Sequence, residues 1–305
     1  MKNLEKYHGV IPAFYACYDD QGQVSPEGVR ALTQYYIDKG VQGLYVNGSS
    51  GECIYQSVAD RKLILENVMA LAKGKLTIIN HVACNNTADS QELARHSQEL
   101  GVDAIAAIPP IYFRLPEHAI AAYWNAISAA APDTDFVIYN IPQLAGVALT
   151  PSLYKTMLAN ERVIGVKNSS MPVQDIQSFV SLGGENHLVF NGPDEQFLGG
   201  RLMGAAGGIG GTYGAMPDLF LRLNQLIEEG DLDTARELQY AINDIIAVLV
   251  SGHGHMYAVI KAVLQKIEGL ELGSVRLPLA GLDQGDQEIV ERACQLITAA
   301  RNRFC

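Results

Sequence analysis

Eight short apolar runs, each followed by a stretch of helical periodicity, fill the first two thirds of the chain and constrain its fold more than any other feature. They read as strands at Gly9–Ala13, Gly43–Val46, Leu76–Val82, Ala104–Ile108, Phe136–Asn140, Val163–Lys167, Leu188–Asn191 and Ala206–Ile209. Each is continuous rather than alternating, as expected of parallel strands covered by helices on one side and a packed interior on the other. Ser25-Pro26 and Thr150-Pro151 place a capping hydroxyl before a proline at the first helical position. Ser57 and Asp60 have the spacing of a capping box, with Asp in place of the usual Glu or Gln. In the helix that follows, Ile64, Val68, Leu71 and Ala72 form one apolar stripe. No Gly-x-Gly-x-x-Gly follows the first strand, so the count of units predicts an α/β fold, a closed (β/α)8 TIM barrel, over an open doubly wound sheet.

Strand signals stop after Glu229, and Leu238, Ile242, Ile245 and Leu249 then mark a purely helical tail. The chain is expected to divide into a catalytic barrel, 1–229, and a C-terminal helical extension, 230–305. No Pro-, Ser- or Gly-rich linker separates them, which predicts an extension packed on the barrel.

The 22 basic and 33 acidic side chains give a net charge of −11, which disfavours nucleic acid and anionic membrane surfaces as partners. The first residues lack a signal-peptide core, and no run of about 18 apolar residues suggests a membrane span. Five widely spaced cysteines without a Cys-x-x-Cys pair argue against a disulfide framework or a structural zinc site and suit a reducing cytoplasm. His253-Gly254-His255 has the spacing of a metal clip, but no third ligand at metal-site spacing accompanies it, and no metal is expected. The glycines between 199 and 214 lack the Gly-Lys-Ser/Thr of a phosphate loop, so close packing and ligand approach account for them better.

In a barrel, chemistry belongs at the carboxyl ends of the strands. Lys167 follows the apolar run Val163–Val166, where an ammonium is costly and its pKa should fall. A neutral lysine attacks carbonyls to give a Schiff base; the structural alternative is a strand-end lysine reaching solvent or pairing with a carboxylate. Tyr139 holds the equivalent place on the neighbouring strand, where its phenol could move protons at a bound imine or simply serve the core. The Gly48-Ser49-Ser50-Gly51 turn, across the barrel mouth from Lys167, can aim N–H groups and two hydroxyls at a small anion. Together these describe a slot for a 2-oxo acid, with the carboxylate on Ser49 and Ser50 and the keto carbon at Lys167.

At this point the sequence resembles the pyruvate-dependent class I aldolases, the family that includes N-acetylneuraminate lyase and dihydrodipicolinate synthase. The matching segments are Tyr45–Glu52, Ile138–Pro142, Ile164–Lys167, Asn191–Glu195 and Gly208–Tyr213, and the likeness spans essentially the whole chain. The resemblance implies that Lys167 forms the Schiff base, that Tyr139 transfers the proton, that Ser49 and Ser50 bind the pyruvate carboxylate, and that no cofactor is used. It also implies a homotetramer.

Within the family, the synthase typically carries an arginine two residues after the proline of its Tyr-Asn-x-Pro segment, and Leu144 stands there instead. Losing that guanidinium removes a bidentate carboxylate clamp. The lyases carry an Asp-Glu pair after strand 7, matched by Asp194 and Glu195, which could equally begin a helix and complement its dipole. The expected reaction is therefore reversible cleavage of N-acetylneuraminate to pyruvate and N-acetylmannosamine. Gly192, Asp194, Glu195, Ser169, Gly211 and Tyr112 are the expected remaining substrate contacts. Gly211 departs from the serine of many lyases, and Ser169 stands where they often have threonine, so another sugar-derived aldehyde stays open. Tyr112, after Pro109-Pro110, either reaches the site or packs in the core. Other readings are a different sugar-acid aldolase, a synthase-like enzyme, or a catalytically silent sensor of sialic acid or pyruvate.

Overall fold

The eight apolar runs become eight parallel strands because each can bury both faces at once. The computed structural model describes residues 4–305. Its strands are β1 Gly9–Pro12, β2 Gly43–Val46, β3 Thr77–His81, β4 Ala104–Ala107, β5 Asp135–Asn140, β6 Val163–Asn168, β7 Leu188–Asn191 and β8 Gly207–Gly210. They are hydrogen-bonded in the order β1-β8-β7-β6-β5-β4-β3-β2. The ring closes where Gln42 donates to the Val10 carbonyl, Phe14 donates to the Tyr45 carbonyl, and Ala13 bridges Tyr45 in parallel. The result is the expected (β/α)8 barrel.

Twelve α-helices lie among the described residues: α1 Pro26–Lys39, α2 Val58–Ala72, α3 Thr87–Leu100, α4 Glu117–Ala130, α5 Pro142–Ala145, α6 Pro151–Met157, α7 Gln174–Gly183, α8 Phe197–Leu202, α9 Pro217–Glu229, α10 Leu232–Leu249, α11 Met256–Glu268 and α12 Asp286–Phe304. Ser25 and Thr150 cap α1 and α6 by accepting from Gly28 N and Leu153 N. Ser57 and Asp60 form both bonds of a capping box on α2, so the shorter Asp still reaches the Ser57 N–H. On α10, Leu238, Ile242, Ile245 and Leu249 are all buried. The tail begins with α10, and α10 to α12 pack on one another and on α8 and α9.

Side chains alternate between two cores. Outward residues such as Ile78, Ile105, Ile138 and Val166 join the helices. Inward ones, among them Ile11, Tyr45, Ile79, Val137, Tyr139, Phe190 and Ile209, fill the barrel.

Strand β6 breaks this alternation once, and the break positions the site. Phe136 pairs with Val163 but Val137 pairs with Gly165, leaving Ile164 as an extra residue. A one-residue slip reverses the face of everything beyond it. Val163 therefore points out and Ile164 in, then Val166 points out and Lys167 in. Gly165 makes the slip possible. Its φ is +155°, and a Cβ there would lie 1.9 Å from the Leu188 carbonyl oxygen.

Candidate active site

A cavity of about 220 Å³ opens at the carboxyl ends of the strands. Nine of the ten residues expected from the sequence line it: Ser49, Ser50, Tyr139, Lys167, Ser169, Gly192, Asp194, Glu195 and Gly211. Tyr112 does not. It is 90% exposed, with φ +83°, and stacks edge-on against the exposed Phe113, so it is neither a wall of this cavity nor part of the core of this chain. Leu144 does line the cavity.

Lys167 is 4% exposed and lies directly opposite Tyr139 in the β5–β6 register. Its Nζ sits 4.1 Å from the ring centroid of Tyr45 and 4.0 Å from that of Tyr139. Burial lowers its pKa to about 7, and the negative charge of Asp194 opposes that fall. Among the described residues it is the one cationic side chain in the cavity wall. The lowered pKa leaves a substantial amine fraction at neutral pH, poised over the cavity.

Tyr139 packs edge-on against Tyr45 at 5.7 Å and His81 at 6.1 Å, which fixes its ring. Burial pushes its phenol up to about 12, while hydrogen bonding with Ser49 and Ser169 draws it back. The phenol is therefore protonated at neutral pH and surrounded by hydroxyls through which a proton can pass.

The serine turn is a single 3-10 turn, Ser49–Gly51, flanked by two strained residues, Asn47 and Glu52, both at φ +57°. Such strain persists only where the surroundings over-determine it. Asn47 Nδ2 donates to the Arg61 carbonyl and to Asn80 Oδ1, each at 2.9 Å. Glu52, wholly buried, receives Lys261 Nζ at 3.1 Å, the Tyr18 hydroxyl at 3.1 Å and the Arg276 N–H at 2.8 Å. The turn is thus rigid before any ligand arrives.

Asp194 does not cap its own turn. Its Oδ2 accepts from the N–H and the hydroxyl of Thr212, both at 2.6 Å, and so ties the loop after β7 to the loop after β8. Burial raises its carboxyl to about 6 despite those donors. Glu195 is exposed at the rim, leaving its carboxylate free to meet polar groups of a ligand.

Several site residues gave no sequence signal. Tyr45 is buried in the matched Tyr45–Glu52 segment, but its role as one wall around Lys167 depends on the ring's orientation. Ile246 and Val250 near the end of α10 and Met256 and Tyr257 of α11 close the cavity from the helical tail, more than 75 residues from Lys167 in the chain. The two histidines of His253-Gly254-His255 diverge: His253 Nδ1 meets Asp283 at 2.9 Å, and the His255 ring accepts from Tyr257 N as a cap of α11. His253, Asp283 and Asp286 do bring three potential ligand atoms within 4.8 Å, which spacing alone did not reveal. Asp286 accepts from three backbone N–H groups, those of His253, Gly254 and Asp283. A second cavity, about 300 Å³ and walled by Cys53, Ser57, Arg61, Cys84 and Asp89, contains neither Lys167 nor Tyr139 in its wall. No helix among the described residues is long and apolar enough to cross a membrane.

Comparison with known proteins agrees with this geometry. The chain is 68% identical over 304 residues to the N-acetylneuraminate lyase of Mediterraneibacter gnavus, covering 100% of this chain and 96% of the relative. It superimposes on wild-type Ruminococcus gnavus sialic acid aldolase with a TM-score of 0.98 at 67% identity, covering 98% of this chain and 100% of the other. A structure described as the catalytic lysine mutant of that aldolase gives 0.99 at 67% identity, with full coverage of both chains. The model of the dihydrodipicolinate synthetase family matches residues 6–297, and the chain belongs to that family.

Proposed function

We propose that this protein is a class I aldolase that reversibly cleaves N-acetylneuraminate to pyruvate and N-acetylmannosamine. The observation that carries the reading is Lys167, a buried amine with a pKa near 7, held between two tyrosine rings and across the cavity from a rigid serine turn. The lyase and aldolase relatives, one of them described by its catalytic lysine, support it.

In the cleavage direction the substrate carboxylate sits on Ser49 and Ser50, which brings C2 of the open-chain acid to Nζ of Lys167. The amine adds to the C2 carbonyl, and loss of water leaves a protonated imine. Tyr139 takes the proton of the C4 hydroxyl while passing its own phenolic proton to the substrate carboxylate. The C3–C4 bond breaks, its electron pair moves into the enamine, and the aldehyde departs. Protonation at C3 and hydrolysis then release pyruvate and restore the amine. The iminium is the electron sink, so the chemistry calls for no metal or organic cofactor.

Asp194, Glu195, Ser169, Gly192 and Gly211 are the proposed contacts for the sugar end. Asp194 acts there through its charge and through the Thr212 tie. Leu144 and the absence of any arginine from the described cavity wall favour a neutral polyol over an aldehyde bearing a second carboxylate. We read residues 1–229 as the catalytic barrel and 230–305 as an extension that closes its mouth. Five free cysteines support a cytoplasmic setting. The exposed Tyr112–Phe113 pair supports assembly into a homotetramer, which light scattering would measure.

Borohydride reduction in the presence of pyruvate should attach the three-carbon unit to Lys167. An unlabelled lysine would end the aldolase reading, and binding of sialic acid without turnover would favour the sensor. A panel of aldehydes offered with pyruvate identifies the second product, and consumption of aspartate semialdehyde would restore the synthase.

A further inference from the structure

Helix α11 lies outside the barrel proper, yet two of its side chains, one turn apart, grip the turn that follows β2. Lys261 Nζ is 3.1 Å from Glu52 Oε1, at one end of that turn. The Tyr257 hydroxyl is 2.8 Å from Ser50 Oγ, at its centre. The Tyr257 ring is fixed by its neighbours, with Tyr15 at 5.7 Å and His255 at 5.2 Å. Tyr15 in turn donates its hydroxyl to the Gly211 carbonyl at 2.6 Å. The phenol is thereby held above Gly211. A Cβ added at Gly211 would lie 3.0 Å from the Tyr257 hydroxyl and 3.2 Å from Ser50 Oγ.

The direction of the Tyr257–Ser50 bond follows from what a carboxylate needs. A carboxylate only accepts, so Ser50 must give its single proton to it and can then only accept from elsewhere. Burial keeps the Tyr257 phenol protonated far above neutral pH, so it is available as that donor. A chain of donors, phenol to serine to carboxylate, polarises the serine hydroxyl and fixes its rotor.

We propose that Tyr257 is a positioning residue of the carboxylate subsite. Its phenol, delivered by α11, aims the Ser50 hydroxyl at the 2-oxo acid and occupies the room that a serine side chain at position 211 would need. The proposal rests on the aldolase reading above.

Tyr257→Phe removes one oxygen and leaves the ring in place. The pyruvate concentration that half-saturates borohydride labelling of Lys167, and the KM for N-acetylneuraminate, should each rise about threefold to tenfold, the range for one neutral hydrogen bond. Maximal labelling and kcat should stay within about twofold. An unchanged half-saturation with a lowered melting temperature would mean a merely structural phenol and would overturn the proposal. Gly211→Ser provides the second arm: it should raise KM in the wild-type background and cost clearly less when combined with Tyr257→Phe, where room has been vacated and a hydroxyl returned. Additive costs would refute the steric half of the argument. Absence of pyruvate labelling in the wild-type protein is a separate result, which removes the aldolase reading and this proposal with it.

Discussion

Replacing Lys167 by methionine should abolish activity and make the fold more stable, by an amount that depends on pH. The lysine pKa falls from 10.5 in water to about 7 in the folded chain. At about 1.4 kcal/mol for each factor of ten, burial holds about 5 kcal/mol against the ammonium. That figure already includes the negative charge of Asp194, which favours the ammonium. The folded state therefore binds its proton less readily than the unfolded chain, and between pH 7 and 10.5 the unfolded chain carries the extra proton. Wild-type stability must then rise with pH across that window, while the penalty is complete below pH 7. Methionine fills a similar volume without a charge, so its advantage should be about 4–5 kcal/mol at about pH 6.5 and should shrink to about 1–2 kcal/mol at about pH 9.5. Urea unfolding of both proteins at the same concentration and at both pH values measures the two gaps. An advantage of equal size at the two pH values would refute the claim that a buried, depressed amine is what the fold pays to keep.

The other predictions concern the neighbours of that amine. Tyr139→Phe should depress kcat by about a hundredfold or more while pyruvate labelling of Lys167 stays within about threefold of wild type; equal losses in both would reduce Tyr139 to a wall of the pocket. Asp194→Asn removes a negative charge that favours the ammonium, so the pH midpoint for cyanoborohydride labelling with pyruvate should move to lower pH. An upward shift would show that another group sets the amine. Gly165→Ala drives a methyl into the Leu188 carbonyl, so labelling should be lost and the melting temperature should drop sharply; normal labelling in that variant would show that β6 has slack the geometry denies.

The barrel was legible because its strands are made of residues that must be buried on both faces, and that requirement is written locally. Every strand from Gly9 to Gly210 falls within a residue or two of its apolar run, the differences being end residues such as Asp135 and Asn168 that extend a ladder without adding apolar character. Caps at Ser25, Ser57 and Thr150 were equally readable, since a hydroxyl and an N–H three residues on are neighbours in any helix start. Lys167, Tyr139 and the serine turn could be placed because barrel chemistry gathers at one end. The contributions of Tyr257 and Lys261 could not, because α11 meets the β2 turn only after the tail has folded back across some 200 residues. Asp194 shows a different limit: the acidic pair was visible, but its bond to Thr212 depends on how two loops approach, which no spacing encodes.

The extra residue in β6 has a consequence for anyone wishing to move this chemistry elsewhere. A lysine grafted onto the sixth strand of a regular barrel, counted forward from the same starting residue, would deliver its amine into the helical layer and not the lumen. Transplanting the nucleophile therefore means transplanting Ile164 and Gly165 with it, together with a seventh strand whose carbonyl at the position of Leu188 tolerates nothing larger than a hydrogen beside it.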